Sequence, residues 1–179
     1  MNKAAFLDRD GVINRKPPEG QYVTRWDELG FLPGVAHAIA QLNQAGFRVI
    51  VVSNQRCVAK GLLTAADLDS IHRRMCIELA AAGAIVDAVY YCPHEKLPPC
   101  SCRKPAPGML LSAAREHQID LTASWIIGDS DADVSAGRSA GCKTALLTAN
   151  GERANGMTDV VAESLLEAVH KILQPAGLF

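Results

Sequence analysis

Short runs rich in β-branched and aromatic residues recur along the chain: KAAFLD (3–8), RVIVVS (48–53), AVYYC (88–92), SWIIGD (124–129) and KTALLT (143–148). Near-continuous apolar runs of this length suit strands buried on both faces, as in a parallel sheet. Helical patterns stand between them. Val35, Ala38, Ile39 and Leu42 recur at helical spacing and stop at Gly46, while Leu68, Ile71, Met75 and Leu79 do the same and stop at Gly83. Thr64 with Asp67 forms a capping box for the second of these. A third helix is expected from near Pro107 through GMLLSAAREH, a short fourth after Asp131, and a last one over AESLLEAVHKIL, with Leu165, Leu166, Val169, Ile172 and Leu173 on one face. Strand and helix in alternation predict an α/β fold, a doubly wound parallel sheet with right-handed crossovers. Such sheets bind ligands beyond the carboxyl ends of their strands.

At 179 residues the chain is long enough for one full core, so residues 1–179 are read as a single domain. No internal repeat, low-complexity tract or linker interrupts it, and no insertion is large enough for a mobile cap domain. Residues 9–30 and the Cys92–Cys102 loop are long connections expected to overhang the carboxyl edge of the sheet. The formal net charge is −1, which offers no global field for nucleic acid or an anionic membrane. Aromatic residues make up 5%, too few for the stacking platforms of a nucleic-acid binder. The amino terminus reaches an acidic pair before any signal-like apolar run, and no run is long enough to span a bilayer. A cytoplasmic monomer is expected.

The chemically suggestive segments all lie at element boundaries. DRDG (8–11) follows the first strand, SNQ (53–55) the second and GDSDAD (128–133) the fourth, while RKP (103–105) precedes the third helix. A parallel sheet would gather Asp8, Asp10, Ser53, Lys104 and Asp129 around one small ligand. Clustered carboxylates repel unless a cation neutralises them, and an oxygen-only donor set suits Mg²⁺. Lys104 and the Ser53 hydroxyl could face phosphoryl oxygens. One aspartate could then act as nucleophile, and another two residues on could shuttle the proton. Taken singly, DRDG is an ordinary solvated turn, GDSDAD an acidic helix start and SNQ a polar loop.

Cys92, His94, Cys100 and Cys102 have the pattern C-x-H-x₅-C-x-C. Three thiolates and one imidazole suit a tetrahedral structural Zn²⁺ with no open position. A redox pair or unrelated thiols are the alternatives. Anchored at Cys102, such a clip would fix where Arg103 and Lys104 point. Cys57, Cys76 and Cys142 have no partners at ligand spacing and read as core or surface thiols.

The set FLDRDG, SNQ, RKP and GDSDAD resembles the four motifs of the haloacid-dehalogenase-like phosphohydrolases, over nearly the whole chain. The resemblance implies a haloacid-dehalogenase-type sheet, with Asp8 as the phosphorylated nucleophile and Asp10 as general acid and base. It makes Ser53 and Lys104 the phosphoryl-stabilising pair. Mg²⁺ would be held by Asp8, Asp10 (through its carbonyl) and Asp129, with Asp133 in support. The clip ahead of CRKPAPGML, together with FLPGV at 31–35, is most similar to the heptose bisphosphate phosphatase branch, which removes the 7-phosphate of a sugar bisphosphate in lipopolysaccharide core synthesis. Histidinol-phosphate phosphatases are the near alternative, and a non-catalytic zinc-clip nucleic-acid binder the distant one. By the same resemblance Arg103 faces the second phosphate, and Asn54, Asn14 and Lys16 are candidates for sugar contacts. Two departures bear on specificity. RCVAKG follows SNQ where small residues and glycine are usual, bringing in Arg56 and Lys60, and Ser130 stands where some members have lysine.

Overall fold

The computed structural model describes residues 1–148 and 158–174. Each β-rich run is a strand: β1 Lys3–Leu7, β2 Phe47–Asn54, β3 Ala88–Cys92, β4 Trp125–Gly128 and β5 Lys143–Leu147. A sixth, β6 Val160–Ala162, is too short to leave a periodic signal; pairing with β5, Ala145 against Val160 and Leu147 against Ala162, makes it a strand. The helices are α1 Val35–Gln44, α2 Ala65–Ala81, α3 Gly108–His117, α4 Asp131–Ala140 and α5 Leu165–Leu173. The Thr64 capping box forms, its hydroxyl accepting from Asp67 N at 3.1 Å while the Asp67 carboxylate accepts from Thr64 N at 3.0 Å. The last helix begins later than the sequence suggests. Ala162 belongs to β6, and Ser164 caps α5 by accepting from Glu167 N.

Among the described residues the six strands pair in parallel, in the order β3-β2-β1-β4-β5-β6. The chain winds outward from β1 to β3, then crosses back to lay β4 against the other side of β1. That reversal is a topological switch point, where the loops after two adjacent strands part and leave a crevice. Register sharpens it: Leu7 pairs with Ile127, and Asp8 N donates to Ile127 O at 3.0 Å. That register sets Asp8 beside Gly128, and just beyond the strand ends the carboxylates of Asp8 and Asp129 come within 4.8 Å of each other.

Successive strand residues point to opposite faces. Ala5, Leu7, Val49, Val51 and Ile127 join the layer formed by α1, α2 and α5. Ala4, Phe6, Ile50, Val52 and Ile126 join that of α3 and α4. Helix α4 lies unusually close to the sheet, since a Cβ on Gly137 would stand 2.2 Å from Ile126 Cγ2 and 3.0 Å from Thr144 Cγ2. Gly137→Ala sets a helix-propensity gain of about 1 kcal/mol against an overpacking cost of about 1–3 kcal/mol. The packing cost should win, and urea unfolding of the variant is expected to show a net loss of stability.

Candidate active site

The strand tips and the segments hanging over them enclose a cleft of about 460 Å³. Asp8, Asp10, Ser53, Asn54, Arg103, Lys104, Asp129 and Ser130 all line it, as do Lys16–Tyr22, Arg56 and Lys96. The structure thus gathers Asp8, Asp10, Ser53, Lys104 and Asp129 around one cleft, and of the 9–30 connection the stretch Lys16–Tyr22 overhangs it.

Lys104 stands at the centre. The residue is 4% exposed, and its ammonium uses its donors on Val52 O at 2.7 Å, Asp8 Oδ1 at 3.0 Å and Asp133 Oδ1 at 2.5 Å. Burial alone would lower its pKa, but the two carboxylates outweigh that and raise it, so Lys104 stays charged. Asn54 clasps its backbone: the amide donates to Lys104 O at 3.0 Å and accepts from Lys104 N at 3.1 Å. Both ends of the Asn54 side chain are thus engaged by Lys104.

Asp8 also accepts from Arg9 N at 2.7 Å. Burial, reinforced by the charges of Asp133 and Asp10 and opposed by Lys104, pushes its pKa up to about 7. Asp129 is raised as well, chiefly by burial, although Lys16 from the overhang reaches its Oδ2 at 2.7 Å. Oxygen atoms of Asp8, Asp129 and Asp133 lie within 4.8 Å of one another. Two glycines make room for this crowding, because a Cβ on Gly11 would meet Asp129 Oδ2 at 2.2 Å and one on Gly128 would meet Asp133 Cβ at 2.2 Å. Carboxylates held this close, two of them (Asp8 and Asp129) with raised pKa values, are a donor set that calls for a hard divalent cation, and the all-oxygen chemistry fits Mg²⁺.

Asp10 is held differently. The Arg9 guanidinium grips both its oxygens at 2.9 and 3.0 Å, Asn14 donates at 2.9 Å and Gln55 donates at 2.9 Å. Burial opposes ionisation, but Arg9 and these amides hold its carboxyl below the usual range. Asn14 is wholly buried and turned to Asp10, so it is not a sugar-facing group. Gln55 also donates to Ser53 Oγ at 2.8 Å. Sequence reasoning left Arg9, Gln55 and His72 without roles. His72 Nε2 lies 3.1 Å from Arg9 Nη1. One signal existed, since His72 falls on the apolar stripe of α2 between Leu68 and Met75.

The departures after SNQ separate. Lys60 is exposed and does not line the cleft, whereas Arg56 does. Arg56 donates to Tyr22 Oη at 2.8 Å and pairs with Glu95 at 3.6 Å, linking the overhang to the Cys92–Cys102 loop. Ser130 Oγ donates to Asp133 Oδ2 at 2.5 Å. Arg103 donates to His94 O at 3.2 Å.

Cys92, His94, Cys100 and Cys102 come together. The approaches between Cys92 Sγ and His94 Nδ1, Cys92 and Cys100, and Cys100 and Cys102 are 3.5, 3.6 and 3.5 Å. Cys102 Sγ lies 3.2 Å from both Cys92 Sγ and His94 Nδ1. None of the three thiols is disulfide-bonded, and these five distances, with all four ligand atoms within 4.8 Å of one another, suit a tetrahedron of Zn-ligand size. Burial, followed by the Cys92 and Cys100 sulfurs, pushes the Cys102 thiol up to about 12. Cys57 and Cys142 are buried core thiols and Cys76 is partly buried.

A family profile described as HAD-hydrolase-like matches residues 101–168. The D-glycero-beta-D-manno-heptose-1,7-bisphosphate 7-phosphatase of Bordetella bronchiseptica is 39% identical over 180 residues, covering 97% of this chain and 99% of that protein. The chain belongs to this family of haloacid-dehalogenase-like phosphatases. It is a phosphoric monoester hydrolase of the magnesium-dependent kind. The crystal structure of the Bordetella enzyme, complexed with magnesium and phosphate, superposes with a TM-score of 0.86 at 38% identity, covering 97% of this chain and 99% of that one. The Rhodopseudomonas palustris enzyme of the same description is 44% identical over 145 residues, 77% of this chain and 79% of that protein. No helix among the described residues is long and apolar enough to cross a membrane.

His72 gives a pH-dependent consequence. Burial first, then the charge of Arg9, hold its pKa down to about 3 against an ordinary 6.5. Between those values the unfolded chain binds the extra proton, so this stability is complete above about pH 6.5 and is lost as pH falls towards 3. Urea unfolding of His72→Gln is expected to lose up to about 2 kcal/mol less stability than the parent between pH 7 and pH 5. An unchanged difference would rule out a buried neutral imidazole.

Proposed function

We propose that the chain hydrolyses the 7-phosphate of D-glycero-D-manno-heptose 1,7-bisphosphate, as a cytoplasmic monomeric enzyme supplying nucleotide-activated heptose for lipopolysaccharide core, with residues 1–179 acting as one domain. The observation that carries this reading is Asp8 at the tip of β1, hydrogen-bonded to the buried ammonium of Lys104, beside Asp129, and facing a cleft lined by further cations. The relatives' names, across nearly the whole chain, support the sugar.

Asp8, Asp10 through its carbonyl, and Asp129 would hold Mg²⁺. When bound, the ion would screen these carboxylates and polarise a phosphoryl oxygen. A carboxylate oxygen of Asp8 attacks phosphorus, and the bond to the sugar oxygen breaks. Asp10, which must carry a proton in the substrate complex although Arg9 favours its carboxylate in the free chain, gives that proton to the departing oxygen. It then takes one from the water that opens the aspartyl phosphate, so it ends as it began and inorganic phosphate leaves. Lys104 and Ser53 donate to the oxygens of the transferring group. Asp133 and Asn54 hold Lys104 in place. Arg103, with Arg56 and Lys96 beside it on the lining, suits an anion away from the reaction centre, as the 1-phosphate would be; a guanidinium recognises such a group in bidentate fashion.

Zn²⁺ bound by Cys92, His94, Cys100 and Cys102 would be structural. With all four positions filled it offers no site to a substrate. Its effect is to tie down the loop that carries Arg103 and leads into Lys104.

Phosphate release from a panel of the heptose bisphosphate, histidinol phosphate and simple phosphate esters, with and without Mg²⁺, tests the reading. The heptose bisphosphate should be preferred and turnover should require Mg²⁺; preference for histidinol phosphate would end the assignment. Asp8→Asn should lower turnover more than about 1,000-fold while leaving the far-ultraviolet spectrum unchanged. For the clip, the parent should carry one zinc per chain by elemental analysis. Cys100→Ser should reduce that content and lower the melting temperature, and full stability in a zinc-free variant would remove zinc from the structure's requirements.

A further inference from the structure

Arg9 lies inside the protein with no exposed surface, between two aspartates of the reaction centre. A guanidinium taken out of water is tolerated where its donors are engaged. Nε and Nη2 point at Asp10, at 3.2 Å to Oδ1 for the first and 2.9 and 3.0 Å to the two oxygens for the second. Nη1 points the other way, to His72 Nε2 at 3.1 Å. His72 arrives from α2, on the far side of β2 in sequence, and is 4% exposed. Its ring is also braced by Tyr91 of β3, with centroids 5.5 Å apart.

The chemistry of this contact is directional. A guanidinium has donors and no acceptor, so Nε2 must present its lone pair and the ring proton must sit on Nδ1. A charged imidazole would put two buried cations together, and burial with Arg9 keeps the ring neutral through the ordinary pH range. The guanidinium is planar and rigid. An acceptor on Nη1 therefore sets the plane of the whole group, including the fork that grips Asp10.

We propose that His72 is a positioning residue for phosphoryl transfer: its Nε2 lone pair fixes the Arg9 guanidinium, and through it the orientation of the Asp10 carboxylate. The proposal rests on Asp10 acting as proton donor and acceptor. Without an acceptor at that point, Nη1 would swing to find another, and the fork would rotate with it. Proton transfer depends steeply on carboxylate geometry, so the loss falls on turnover rather than on substrate binding.

Two amide substitutions separate this role from simple packing. In His72→Gln the side-chain amide reaches the place of Nε2 and can accept from Arg9; in His72→Asn it reaches only the place of Nδ1. Steady-state kinetics on the heptose bisphosphate with Mg²⁺ should show kcat of the Asn variant reduced about tenfold or more with KM within about twofold, and kcat of the Gln variant within about threefold of the parent. Equal kcat losses in both variants, or losses that follow their melting temperatures, would make His72 a structural residue and overturn the proposal. Asp10→Asn serves as the reference. If it retains turnover, the role given to Asp10 fails; if it is inactive while His72→Asn keeps its kcat, the His72 inference alone fails. Nitrogen-15 NMR of the unmodified protein gives a check that does not depend on how the variants fold. The His72 resonances should show a protonated Nδ1 and a bare Nε2, and the opposite tautomer would overturn the proposal.

Discussion

A buried ammonium between two carboxylates organises the carboxyl edge of the sheet. Lys104 is held from below by Val52 O and from the sides by Asp8 and Asp133. Burial raises the pKa of Asp8, so the lysine only partly offsets the cost of collecting these acids. The remaining imbalance is what a divalent cation would correct. Removing one member of such a set leaves uncompensated charge in a poorly solvated place, which is why the surrounding structure is given over to keeping each member where it is. Asn54 clasps the Lys104 backbone, Ser130 holds Asp133, and Gly11 and Gly128 leave the space in which the acids stand.

Around that centre the supports fall into two groups with different physical character. On one side the Cys92–Cys102 loop gathers three thiols and an imidazole at metal-ligand spacing, with Arg103 and Lys104 immediately beyond. A metal-bound loop is a low-entropy anchor, because its geometry is set by ligand bonds rather than by packing. On the other side Asp10 depends on an ion pair with the Arg9 fork and on hydrogen bonds from Asn14 and Gln55, with His72 behind Arg9. Arg56 joins the two groups over the cleft by touching both Tyr22 and Glu95.

How much of this could be read in advance follows from the range of the interactions. Motifs such as DRDG, SNQ, RKP and GDSDAD announce themselves because each is a local pattern at a strand or helix boundary, and the parallel topology then dictates where they meet. The Thr64 capping box was legible for the same reason. Strand β6 was not, because three residues carry no period and the strand exists through its pairing with β5. Nor was Asn14 as a buried partner of Asp10; an asparagine in a long connection gives no hint of which way its amide turns. His72 was hidden in plain view on an apolar helix stripe, where a histidine looks like filler until its ring is seen to face a buried arginine 63 positions earlier in the chain.

The sequence by itself determined the alternation of strand and helix, the parallel sheet that alternation requires, and the chemical inventory at the strand ends: acids, a lysine, a hydroxyl and a compact thiol–imidazole set. These are matters of local periodicity and residue type, which short segments carry within themselves. Only the tertiary structure decided which acid shares Lys104 and which is gripped by Arg9, that Arg56 and not Lys60 lines the cleft, and that Asn54 serves the Lys104 backbone. Those outcomes rest on side-chain directions and burial across strands far apart in the chain, and charge balance at a desolvated site exists only once the sheet has brought its edges together.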